Sequence, residues 1–185
     1  QGYQLCNSNT GTGTAEFTQI LSGDYGHIVS GDGGNSVWMV YPGFAAYYPS
    51  ATGSPYNSYW WEFECSGQFW IPPLMPHPVA PNICYLGGGT TGSGTHIFEM
   101  IYSMGNVTVN ELAYDFSGNS GATAISAMAF SPLNTDYRYV MNGNGEFFSS
   151  TDGGNTWTLN NSFDGPDGNY LYGAAIVPSN ETLGV

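Results

Sequence analysis

Two kinds of side chain in this sequence have the chemistry to meet a carbohydrate. The first are the carboxylates Asp24, Asp32, Glu62, Glu64 and Glu99. Hydrolysis of a neutral glycan needs only two carboxylates, held about 5–10 Å apart across a cleft. Asp32, within Gly31-Asp32-Gly33-Gly34, leads the candidates, and no residue stands out as its partner. The commoner role for such a residue is a turn Asp bonding its own backbone. The second kind is aromatic. In Tyr56-Asn57-Ser58-Tyr59-Trp60-Trp61-Glu62-Phe63-Glu64, strand alternation sets Tyr59, Trp61 and Phe63 on one face and Trp60, Glu62 and Glu64 on the other. A flat indole stacks on the apolar face of a pyranose ring while carboxylates bond its hydroxyls. Trp60, Glu62 and Glu64 therefore form a candidate ligand-binding patch for a sugar or a protein. Burial of Trp60 between neighbouring sheets is the alternative.

Other chemistry finds little support. His27, His77 and His96 lie far apart and lack paired ligands, so no metal site is expected. Asp164-Gly165-Pro166-Asp167-Gly168-Asn169 is oxygen-rich but departs from the EF-hand spacing, and a solvated turn is the expectation. No cofactor is expected, and neither Ser–His–Asp nor Cys–His catalysis has a local motif. Of Cys6, Cys65 and Cys84, the last two flank adjacent aromatic strands and form a disulfide in one reading, leaving Cys6 free or bonded to another chain. In the other reading all three are buried thiols.

Charge narrows the partners. Arg138 is the only Lys or Arg, and the net charge is −13. Missing cations, rather than the density of carboxylates that marks halophilic surfaces, produce that value. Nucleic acid and anionic membranes are recognised through Lys/Arg clusters, so neither is an expected partner. Phosphate cradles and Arg clamps are excluded on the same grounds. No stretch approaches the roughly 18 apolar residues of a membrane span, so membrane insertion is not expected. Gln1, with no signal peptide or initiator Met, points to a processed mature chain or an excerpt of a longer one. Asn-x-Ser/Thr sequons begin at Asn106, Asn160 and Asn180.

The elements that must carry these residues read as short strands. Gly and Pro make up about a fifth of the 185 residues, aromatic residues 16% and charged residues 8%. That mix is too apolar for disorder and too rich in turn formers for helices. Three segments align without gaps: 77–85, 131–139 and 177–185. In each, an apolar run enters a Pro, a polar turn follows, and an apolar residue returns seven positions after the Pro. Pro removes an N–H where a ladder ends, and Asn or Asp supplies turn geometry. Val37 to Pro42, followed by Ala45-Ala46-Tyr47-Tyr48, reads as a looser copy. The anchor prolines 42, 78, 132 and 178 are spaced 36, 54 and 46 residues apart, bracketing the roughly 40–50 residues of a four-stranded propeller blade.

After the best copy comes Ser150-Thr151-Asp152-Gly153-Gly154-Asn155-Thr156-Trp157. Asp152 can accept backbone N–H groups across this turn, and Gly153-Gly154 permit positive φ. The segment resembles the Asp-box (BNR, or sialidase-type) repeat at every defined position: Ser150, Asp152, Gly154, Thr156 and Trp157. Gly31-Asp32-Gly33-Gly34 is similar to the entry of a blade in secreted xyloglucanase-like Asp-box proteins. Phe69-Trp70-Ile71-Pro72-Pro73-Leu74 is similar to the strand before their Asp-Pro turn, with His77 where Asp is usual. Phe98 to Asn106 occupies the Asp-box place of the second blade without the Asp, which removes the motif but not the hairpin.

The resemblance implies an all-β fold, a β-propeller of four-stranded antiparallel blades, as in sortilin-like proteins too. Approximate blades span 22–66, 67–120 and 121–163, with a partial blade at 168–185 and 1–21 as outer strands of a neighbour. The rings of six to eight blades that the resemblance suggests need more chain than these 185 residues, so the expectation is an incomplete ring of three to four blades, or one that another polypeptide completes. Asp152 and Trp157 then have structural roles at the blade periphery, whereas the Asp32 loop faces the channel mouth. Sialidase activity is excluded because the family's Arg triad cannot be built from Arg138, for which a surface role on a repeat strand is expected. The expectation is a secreted or cell-surface module that binds a glycan or protein, in adhesion or surface assembly, without catalysis. The alternative is a fragment of a glycoside hydrolase.

Overall fold

The computed structural model describes residues 3–6, 13, 15–23, 26–51, 57–121, 123–131 and 133–162. They form an all-β body of fourteen strands, with no α-helix among the described residues. β1 (Tyr3–Cys6) and β2 (Phe17–Leu21) make a two-stranded sheet. The first four-stranded sheet is β3 (Ile28–Val29), β4 (Val37–Tyr41), β5 (Phe44–Tyr48) and β6 (Tyr59–Glu62). The second is β7 (Leu74–Pro76), β8 (Ile83–Gly87), β9 (Ile97–Ser103) and β10 (Asn106–Glu111). The third is β11 (Ile125–Phe130), β12 (Arg138–Asn142), β13 (Glu146–Ser150) and β14 (Thr158–Ser162). Each four-stranded sheet is an antiparallel meander in chain order.

One sheet therefore falls in each of 22–66, 67–120 and 121–163, while 168–185 lies outside the described residues. β1 and β2 pair with each other and cover one face of the first sheet. Tyr3, Ile20 and Leu21 pack there on Val37, Met39, Ala46 and Tyr48.

The aligned turns behave alike. In the β7–β8 turn, His77 N–H donates to Ile83 O (3.0 Å) and Ile83 N–H to Ala80 O (2.9 Å). In the β11–β12 turn, Ser131 N–H donates to Tyr137 O (2.9 Å) and Tyr137 N–H to Asn134 O (3.0 Å). The first side chain of each turn satisfies the two N–H groups that the turn leaves open. His77 Nδ1 accepts from Val79 and Ala80 at 3.2 and 3.1 Å, and Ser131 Oγ accepts from Leu133 and Asn134 at 3.1 and 3.0 Å. Burial, aided by the charge of Arg138, holds the His77 pKa below its usual value and favours the neutral ring this role requires. Pro132, Pro178 and the third copy lie outside the described residues.

The looser copy at Pro42 is corrected by the structure. Tyr41 pairs with Phe44, so Pro42-Gly43 closes the β4–β5 hairpin, between second and third strands. The place equivalent to the other two turns is taken by residues 30–36, between β3 and β4. A short Pro-containing hairpin between apolar runs looks the same in sequence whichever pair of strands it joins.

The sheets pack face to face in chain order. Trp38, Val40, Ala45 and Tyr47 meet Leu74, Cys84, Leu86, Phe98 and Met100 between the first and second. Tyr85 and Ile97 meet Ile125, Met128, Val140 and Phe148 between the second and third, with Phe116 from the connecting segment. The first strands are neighbours, β3 against β7 and β7 against β11. Turns 30–36 and 77–82 sit together, since Gly31 lies against His77, Pro76 and Pro81. Segments 63–73 and 88–96 meet at the other end through the paired Ser66 and Thr90.

Cys65 and Cys84 are not joined to each other, which corrects the reading that paired them in a disulfide. Cys84 is a core side chain of β8 whose thiol donates to Met75 O (3.2 Å), whereas Cys65 contacts Gln68. Burial pushes the Cys65 thiol up to about 11 and the Cys84 thiol well above its ordinary value, so neither is a reactive thiolate. Cys6 is exposed rather than buried.

Candidate functional site

Asp32 and Asp152 sit in two copies of one turn. In 150–157, Ser150 Oγ donates to Asp152 Oδ1 (2.8 Å) and accepts from the N–H groups of Asp152 (3.3 Å) and Gly154 (2.9 Å). Thr156 donates its N–H to Asp152 Oδ1 (2.9 Å) and its hydroxyl to Oδ2 (2.6 Å). Residues 30–36 repeat this atom for atom: Ser30 bonds Asp32 (2.9 Å) and the Gly34 N–H (2.8 Å), and Ser36 donates its N–H (2.9 Å) and hydroxyl (2.8 Å) to Asp32. Even the amides match, with Asn35 and Asn155 donating to the Asp carbonyl oxygens at 2.7 and 2.6 Å. Gly33, Gly34, Gly153 and Gly154 take φ of 71°, 92°, 72° and 87°, a region closed to most side chains.

Asp32 is thus a turn residue. Hydrogen bonds from the Ser36 N–H, then from the Ser36 and Ser30 hydroxyls, lower its pKa. The hydroxyl and N–H of Thr156 hold Asp152 at about 2. Trp157 follows the second turn, donates its indole N–H to Gly154 O (3.1 Å) and packs on Phe116 with centroids 5.0 Å apart. In the first copy Val37 stands in its place, which is why residues 30–37 were not legible as the same motif.

The face of β6 alternates as its sequence requires. Tyr59 and Trp61 pack toward the second sheet, and Phe63 just beyond joins them. Trp60, Glu62 and Glu64 are exposed. Trp60 shares a face with Ala46 and Met39, away from the second sheet, so it is not buried between the four-stranded sheets. Three rings stand in a row there: Tyr41 stacks on Phe44 (4.9 Å, 22°) and Phe44 on Trp60 (4.5 Å, 17°). The indole N–H donates to Ser58 Oγ (2.7 Å), fixing the ring edge while 49% of the residue stays exposed. Glu62 lies on the same face, opposite Phe44. Sequence reasoning found Trp60 but not Tyr41 and Phe44, which join it only through the β4–β5–β6 register.

Among the described residues, Glu62, Glu64 and Glu99 lie on elements other than the Asp32 turn. Asp24 lies outside the described residues. Glu99 is on β9 and accepts from Tyr85 (3.3 Å) and Asn110 (3.4 Å). Glu146, which no sequence pattern singled out, is buried. Its carboxylate accepts from Asn119 N–H (2.8 Å) and Asn142 Nδ2 (2.8 Å), tying β13 to the segment before β11. Among the described residues no group of three or more His, Cys, Asp or Glu side chains could hold a metal ion, and no helix is long and apolar enough to cross a membrane. No protein-family model, curated protein or solved structure matches the chain.

Proposed function

We propose that this chain is a β-propeller region of the Asp-box kind, acting outside the cell as a binding module without catalysis, and that Trp60, with Glu62 and Glu64 beside it, receives a neutral glycan. The exposed, pre-stacked ring of Trp60 carries the reading. A ring already fixed by Phe44 and Ser58 loses little rotamer freedom when a sugar lands on it, and the carboxylate of Glu62 on the same face can accept sugar hydroxyls. The net charge of −13 disfavours sulfated or uronate-rich glycans and leaves a neutral one. The propeller reading draws support from three successive four-stranded meanders, the adjacency of β3, β7 and β11, and the two matching Asp turns. Asn106 and Asn160, both exposed, suit an extracellular setting.

Titration calorimetry with a soluble β-glucan tests the reading. The wild type should bind and Trp60→Ala should bind about tenfold more weakly, the scale of one aromatic contact. Equal affinities would remove Trp60 from the site. Release of reducing ends by the wild type would defeat the non-catalytic reading and favour a glycoside hydrolase of neutral polysaccharide instead.

A further inference from the structure

The single cation of the chain is not spent on the surface. Arg138 opens β12 and turns into the gap between the second and third sheets. Its guanidinium lies over Phe130 (4.6 Å to the centroid) and Tyr85 (5.2 Å). Nε is buried and has no hydrogen-bond partner, and among the described residues Arg138 forms no ion pair. The guanidinium bonds the Tyr85 hydroxyl but has no carboxylate partner among the described residues, and a partly desolvated guanidinium without a counter-charge is costly.

The cavity it lines has a volume of about 180 Å³. That is room for about six water-sized groups. Tyr85, Phe130, Trp157, Ile97 and Leu112 give it apolar walls, and Glu99 is the carboxylate in its lining. The hydrogen bonds of Glu99, at 3.3 and 3.4 Å, are long and leave acceptor capacity unspent. Gly153, Gly154 and the exposed Asn155 complete the lining. A plain carboxylate would meet Arg138 but be repelled by Glu99 and by the negative field of the chain. A zwitterion is neutral overall and has an end for each group.

We infer that this inter-sheet cavity is a binding site for a free α-amino acid with an apolar side chain, its carboxylate on the Arg138 guanidinium, its ammonium toward Glu99 and its side chain among Ile97, Leu112 and Trp157. The site stands apart from the Trp60 platform, and its failure would leave the glycan reading untouched.

Calorimetry or saturation-transfer NMR with L-leucine, with 4-methylpentanoate (the same skeleton without the ammonium) and with glucose provides the test. L-leucine should bind saturably, and 4-methylpentanoate at least tenfold more weakly. Glucose should not compete for the cavity. Arg138→Gln should weaken leucine at least tenfold, whereas Glu99→Gln should erase the preference for leucine over 4-methylpentanoate. The comparison of the two ligands on the wild type needs no variant, so a misfolded Arg138→Gln protein would not rescue the idea. Absence of saturable leucine binding, or equal binding of both ligands by the wild type, overturns it.

Discussion

Whether a carboxylate is free to do chemistry depends on how many of its lone pairs the local backbone has already engaged. Asp32 and Asp152 each hold the N–H and the hydroxyl of the residue four positions on, and their pKa values are depressed accordingly. A depressed carboxylate stabilises the fold fully above its unfolded value, near 3.9. The contribution is lost as pH falls through the folded value, about 2 for Asp152. The double variant Asp32→Asn/Asp152→Asn should therefore lose less Tm than the wild type between about pH 4 and pH 2. Thermal melts across that range check this, and parallel curves would show that the two turns are not acid-labile. At this scale the sequence was readable where spacing alone sets geometry. Alternation placed Trp60, Glu62 and Glu64 on one exposed side, and the Ser150–Trp157 spacing fixed its turn. It was not readable where partners come from afar. The ring under Trp60 belongs to another strand, and the half-burial of Arg138 depends on Tyr85 of the neighbouring sheet.

Strands and turns were legible in proportion to how local their causes are. The hairpins at 77–85 and around 131–139 follow from a side chain capping its own turn, and a His or a Ser there does the same work. Pro42 misled because a proline within a two-residue turn carries no sign of which strands it joins. The buried Asn142–Glu146 pair left no pattern at all, since isolated polar residues in an apolar strand look like surface positions. Asn142 Nδ2 donates to both Phe116 O (2.9 Å) and Glu146 (2.8 Å). Asn142→Ala leaves those two buried acceptors short of a donor. It should destabilise the protein by about 1–3 kcal/mol per acceptor and speed hydrogen exchange at the Asn119 amide. Phe98→Ala, which empties the core between the first two sheets, should cost about 3–5 kcal/mol without that local signature. Denaturant titrations with amide exchange separate the two, and unchanged Asn119 protection in Asn142→Ala would contradict the role given to Glu146.

At the scale of the whole molecule, everything depends on one sheet lying face to face on the next. That stacking leaves the Trp60 ladder on the far side of the first sheet and encloses the Arg138 cavity between the second and third. The all-β class was legible because composition and turn frequency act globally. The particular contacts between sheets were not, because they are decided by which apolar faces meet. Trp38 donates its indole N–H to Pro81 O (3.0 Å) across the first interface, where Tyr102 also sits 4.6 Å from Tyr59, and Tyr85 meets Phe130 at 5.3 Å across the second. Nuclear Overhauser spectroscopy reads these contacts directly. Cross-peaks should connect the Trp38 indole proton to Pro81, the ring of Tyr59 to Tyr102, and that of Tyr85 to Phe130. A spectrum in which each of these rings contacts only residues of its own sheet would contradict the stacking, and with it the Arg138 cavity.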